Sequence, residues 1–119
     1  MTELSSYELS LKIAKAAADK KAFNIKMVKV GEISIVADYF LIASGSSTKQ
    51  VQAISENIKD ALKKEEIMSL RVEGLNEGRW TLFDYGNVVV HVFLEEERDF
   101  YNLEGLWGDV LQEDYADEA

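Results

Sequence analysis

Residues 80–85 and 88–94 are two apolar-rich runs separated only by Gly86 and Asn87. A two-residue link of this kind joins antiparallel strands tightly and leaves little freedom in how they pair. With those two residues as the loop, Tyr85 opposes Val88, Phe83 opposes Val90 and Thr81 opposes Val92. Side chains alternate across a strand, so these six share one face. That face is mostly apolar and is expected to meet a core. The opposite face carries Trp80, Leu82, Asp84, Val89, His91 and Phe93. It mixes large apolar groups with an acid and a histidine, which points to a covering helix or a partner.

The chain before the hairpin alternates helix and strand signals. Ser5 and Glu8 have the spacing of a capping box, and Leu4 and Leu9 that of a hydrophobic staple. Leu9, Ile13, Ala16 and Ala17 then share one helical face, and the helix is expected to fade near Lys20 and Lys21. Residues 24–30 read as a strand ended by Gly31, and residues 33–36 are ambiguous. Residues 39–43 form a continuous apolar run, as in a strand buried on both faces. Ser44, Gly45 and Ser46 are expected to break it. Ser47 and Gln50 repeat the capping-box spacing, and Val51, Ile54, Ile58, Ala61 and Leu62 mark an amphipathic helix closed by Lys63 and Lys64. A short strand at 70–72 follows. Strand, helix, strand predicts a right-handed crossover and a parallel pair.

After the hairpin, Phe100, Leu103 and Trp107 make one helical stripe, with Tyr101 and Leu106 beside it and Gly108 as a stop. Gly105 inside that helix costs about 1 kcal/mol relative to alanine. Residues 1–108 are therefore expected to form one domain and residues 109–119 a loose acidic tail. Ten of the 22 acids lie from Glu95 onward, against Arg98 as the only base there, which accounts for the whole net charge of −9. An acidic end is repelled by nucleic-acid phosphates and attracted to basic surfaces.

Composition narrows the chemistry. The 119 residues include no cysteine and one histidine. Disulfides, thiolate metal sites and cysteine nucleophiles are thereby excluded, and a histidine-based zinc site is disfavoured. The first six residues lack a basic stretch followed by an apolar run, and no apolar run is long enough to span a membrane. The expectation is a cytosolic, cytoplasmic protein without a membrane partner.

Two constellations in the sequence resemble parts of enzyme sites. Asp84 and His91 lie diagonally on one hairpin face, where an Asp–His pair can orient a general base, but only Ser44, Ser46, Ser47 or Thr48 offers a nucleophile and none sits in a nucleophile elbow. A packed histidine hydrogen-bonded to Asp84 is the favoured alternative. The turn from Ser44 to Ser47 can hold a phosphate at a helix start. Nucleotidyl transferases, however, pair two carboxylates on the adjoining strand to hold metal ions, and here Asp84 stands alone. The six lysines between Lys12 and Lys29 are interleaved with acids and read as a solvated surface. Trp80, Leu82, Tyr101 and Trp107 are residue types that anchor protein interfaces, next to an acidic segment suited to a basic partner. A protein-binding role is favoured over an enzymatic one.

Two stretches carry a family resemblance. The first runs from Asp38 through Tyr39, Phe40, Leu41, Ile42, Ala43, Ser44, Gly45, Ser46 and Ser47 to Gln50, Val51, Gln52, Ala53 and Ile54. The second comprises Glu73, Gly74, Trp80, Asp84, Tyr85, Gly86, residues 89–93, Arg98, Tyr101 and residues 103–107. Together they resemble the signatures of the ribosomal silencing factor, or Iojap, family. The resemblance implies an α/β (mixed α+β) fold: one mixed five-stranded sheet flanked by helices in the order α-β-β-α-β-β-β-α, similar to a reduced nucleotidyl transferase core without catalytic acids. It implies a non-enzymatic factor without cofactor or metal that binds the large ribosomal subunit through universal large-subunit protein fourteen and blocks small-subunit joining. By the same resemblance, Trp80, Leu82, Asp84, Tyr101, Leu103 and Trp107 would be contact residues, with His91 and Glu104 supporting. Asn87 stands where the family usually has aspartate, and Gly105 occupies a variable position. A nucleotide-binding remnant and a homodimer or larger homo-oligomeric scaffold using the same apolar face are the alternatives.

Overall fold

The computed structural model describes residues 5–30 and 37–97 and the strand at 112–114. Helix α1 spans Ser6–Ala18 and opens as its capping box predicts. Ser5 Oγ accepts the Glu8 N–H at 3.1 Å, and Glu8 Oε1 accepts the Ser5 N–H at 3.0 Å. Two amides that a helix start leaves unpaired are thereby satisfied. The chain leaves the helix through Lys21, at φ 66. Leu4, the other half of the predicted staple, lies outside the described residues, as do residues 31–36.

Strand β1 (Phe23–Lys29) pairs antiparallel with β2 (Tyr39–Gly45), with a bulge between Phe23 and Lys26 where Asn24 takes φ 50. Ser44 and Gly45 belong to β2 and do not interrupt it. Helix α2 covers Thr48–Lys63. Ser47 Oγ accepts the Gln50 N–H at 3.1 Å, as expected of its cap. The return bond differs: Gln50 Oε1 takes the N–H and hydroxyl of Ser46 at 2.6 and 2.7 Å, one residue earlier than a capping box requires. The Gln50 amide also donates to the Lys20 and Lys21 carbonyls at 3.2 and 3.1 Å, joining the end of α1 to the start of α2.

Strands β3 (Arg71–Glu73), β4 (Trp80–Asp84) and β5 (Val88–Leu94) form an antiparallel run. The hairpin register is the predicted one, with Phe83 facing Val90 and Thr81 facing Val92. Gly86 supplies the positive φ of the turn, at 86°. Asn87 uses the amide that an aspartate would lack: its Nδ2 donates to Ser6 Oγ at 2.8 Å, tying the turn to the start of α1.

The sheet order is β3-β4-β5-β2-β1-β6, with β6 at Gln112–Asp114. The expected mixed sheet flanked by helices is present, and β6 extends it by one strand, antiparallel to β1. Three residues of the segment expected to be a loose tail are thus paired. The unpaired edge of β1 offers backbone groups that any extended segment can meet, whatever its side chains. The predicted parallel pair also needs correcting. Strand β2 pairs in parallel with β5, and β3 lies at the edge beyond β4. The hairpin occupies the place next to β2 because its apolar strands tolerate burial on both faces, which the polar Arg71–Glu73 segment does not.

Helices α1 and α2 lie on one face of the sheet. Leu9, Ile13, Ala17, Val51, Ile54, Ile58 and Leu62 pack there against Leu41, Phe83, Val90 and Val92. Each such apolar side chain, fully buried, contributes roughly 1.5–3 kcal/mol before entropy is counted. A smaller cluster of Val28, Val30, Ala37, Ile42, Val89 and Phe93 forms on the other face, with Phe40, Trp80 and Leu82 partly buried against it. Among the described residues no helix is long and apolar enough to cross a membrane. The predicted helix at 100–107 lies outside the described residues.

Candidate partner-binding face

Strand β4 alternates half-buried and buried positions, so Trp80, Leu82 and Asp84 project from the face opposite α1 and α2. Their cross-strand neighbours on β5 are Phe93, His91 and Val89. The Trp80 ring stacks on Phe93 with centroids 4.9 Å apart. Its indole Nε1–H donates to His91 Nδ1 at 3.1 Å. His91 is 5% exposed and is wedged between Phe40, at 5.1 Å, and Phe93, at 6.0 Å. Burial pushes its pKa down to about 4, so the ring is neutral at pH 7. A neutral imidazole that accepts at Nδ1 carries its proton on Nε2. Among the described residues Nε2 has no hydrogen-bond partner.

Trp80 stands between two clefts. One, of about 270 Å³, is lined by Glu73, Gly74, Trp80 and Leu82. The other, of about 310 Å³, is lined by Gly74, Glu77, Arg79, Trp80 and Glu97. Gly74 makes this shape possible. It takes φ +77, and a Cβ there would come within 2.1 Å of the Trp80 carbonyl oxygen. Arg79 is held through Nε and Nη2 to one oxygen of Glu97, at 2.8 and 2.6 Å, and its pKa is raised by that hydrogen bond. Arg71 pairs with Glu73 at 2.9 Å. The result is an aromatic and aliphatic centre with Glu73, Glu77 and Glu97 around it. Arg71 and Arg79 are paired to two of these acids, so the rim is polar with a slight acidic excess, as at the edge of a protein interface.

The predicted site residues divide into three groups. Trp80, Leu82 and His91 come together as one patch. Asp84 lies on the same face but serves the turn, where its Oδ1 accepts the Gly86 N–H at 2.8 Å. The expected Asp84–His91 hydrogen bond is replaced by the Trp80–His91 bond: both residues lie diagonally across from His91, and the Asp84 carboxylate is turned to the Gly86 amide. Tyr101, Leu103, Glu104 and Trp107 lie outside the described residues. Sequence reasoning missed the walls of the clefts: Gly74, Glu77, Arg79 and Glu97. A Gly five residues before an arginine and six before a tryptophan was the available signal, since a positive-φ glycine lets the connection fold back onto the next strand. At the other candidate centre, the Ser46 amide and the Gln50 amide are each met by a side chain of the chain itself. That turn is a cap and a helix-to-helix link.

Comparison with known proteins places this architecture. Residues 3–119 match the family described as "Ribosomal silencing factor during starvation". The ribosomal silencing factor RsfS of Bacillus subtilis is 55% identical over 100 residues, covering 83% of this chain and 85% of its own. That of Halalkalibacterium halodurans is 46% identical over 106 residues, covering 89% and 91%. A crystal structure of a Chromobacterium violaceum protein superposes with a TM-score of 0.86 at 30% identity, covering 98% of this chain and 97% of that one. The sequence motifs, the sheet and these relatives agree that the chain belongs to the ribosomal silencing factor family.

Proposed function

We propose that this protein docks through the Trp80–Leu82 face onto universal large-subunit protein fourteen and, by occupying that place, prevents the small subunit from joining. The mechanism is steric and stoichiometric: no bond is made or broken, and repression lasts as long as the complex does. The observation that carries the reading is the half-buried Trp80 and Leu82 pair, with Trp80 between two clefts, on the sheet face away from α1 and α2. A central tryptophan is the type of residue that dominates interface energies, and the slight acidic excess of the rim, Glu73, Glu77 and Glu97 against Arg71 and Arg79, suits the basic surface of a ribosomal protein. By the family resemblance Tyr101, Leu103, Glu104 and Trp107 are further proposed contacts, and Asp84 lies at the hairpin end of the Trp80–Leu82 face. The place of action is the cytoplasm, where subunits meet.

Sedimentation of purified subunits with and without the protein tests this. The expected result is protein travelling with large subunits and a loss of joined ribosomes. Trp80→Ala should weaken that binding by about 2 kcal/mol, roughly 30-fold. Protein left at the top of the gradient, with subunits joining normally, would overturn the proposal.

A further inference from the structure

The geometry assigns His91 the role of a positioning residue: its Nδ1 holds the indole of Trp80 in the orientation that divides the two clefts and turns ring carbon, not the ring N–H, toward a partner. The consequence for binding rests on the docking face proposed above, while the positioning itself does not.

Three observations support it. His91 is 5% exposed, so it cannot itself be a substantial contact. Its Nδ1 accepts the Trp80 Nε1–H at 3.1 Å. Its Nε2 is buried and, among the described residues, has no partner. An apolar residue of similar size would fill this place between Phe40 and Phe93 without burying an unpaired donor. What an apolar residue cannot supply is an acceptor for the indole. Trp80 begins β4 and is only half buried. A side chain there that is held before binding loses less rotational freedom when the partner arrives. The stack on Phe93 sets the plane of the ring, and the hydrogen bond fixes which edge faces inward.

The test needs both a partner-free and a partner-dependent readout. In the wild-type protein, nitrogen NMR should find His91 as the tautomer protonated at Nε2, and Trp80→Phe identifies the Trp80 indole resonance. His91→Leu should move that resonance upfield and speed its exchange with water. His91→Asn, which keeps an acceptor near the Nδ1 position, should restore it most of the way. Large-subunit affinity should fall about ten-fold in His91→Leu and stay within about three-fold of wild type in His91→Asn. Protonation at Nδ1, or an indole resonance that His91→Leu leaves in place, overturns the assignment without any variant having to bind. Equal affinity of His91→Leu and wild type overturns its importance for docking. Wild-type protein that fails to bind large subunits would sink the docking proposal, and the tautomer and the indole resonance would still decide the positioning.

Discussion

The two faces of the sheet share their strands but are built to different rules. Under α1 and α2, the buried side chains are apolar or are hydroxyls. Ser10 and Ser55 return their hydroxyls to carbonyls one helical turn back, at 2.9 and 2.7 Å. Among the described residues nothing buried there gains charge in acid. On the other face the apolar cluster is smaller, two of its largest neighbours are only partly buried, and an imidazole sits among aromatic rings. The first face is what a chain does when burial only has to hold it together. The second gives up some of that economy to keep a tryptophan at the surface in one orientation.

The comparison can be broken most directly on the covered face. Phe83 is fully buried beneath the helices, and Phe83→Ala should cost about 3–5 kcal/mol through lost transfer energy and a cavity. Urea denaturation would measure this. Affinity of the remaining folded protein for large subunits should hardly change, and a large change would mean that the faces are not separable. Acid sharpens the comparison from the other side. His91 has a folded pKa of about 4 against an ordinary value of 6.5, so between these pH values the unfolded chain binds a proton that the folded chain refuses. Stability therefore falls as pH drops from about 6.5 to about 4, by about 3 kcal/mol in all, with no further loss from this group below that window. His91→Asn should remove this part of the slope, and urea midpoints at pH 7 and pH 4.5 for both proteins would reveal it. The smallest effect belongs to the layer that covers the first face. Ser5→Ala opens the capping box of α1 and should cost about 1 kcal/mol, seen as a lower melting temperature with the His91 part of the pH slope unchanged.

The parts that were legible in the sequence are those set by near neighbours. The hairpin register followed from a two-residue loop, and the first helix start from the spacing of Ser5 and Glu8. Trp80 and Leu82 were legible as a surface pair by alternation alone. Asp84 was placed on the right face, but its carboxylate went to the turn amide two residues on, a local bond that outcompeted the diagonal one. What stayed hidden depends on distant chain. No property of residues 39–45 says that β5 and not β3 lies beside them. The pairing of Gln112–Asp114 with β1 runs through backbone groups, which every residue carries alike. The clefts depend on the positive φ of Gly74, and a glycine in a sequence announces freedom without saying how it will be used.

The parallel pairing of β2 with β5 has a bearing on time as well as shape. These two central strands are separated in the chain by α2, β3 and β4. The β4–β5 hairpin closes a short loop and can form within about 1–10 μs, whereas joining its outer edge to β2 must first close a long one. Until that contact is made, the Phe40–Val89 and Ile42–His91 registers do not exist, and the two halves of the sheet have no common surface. The slow step of folding is therefore expected at the seam between two halves, and the pocket that holds the His91 ring is completed only when that seam closes.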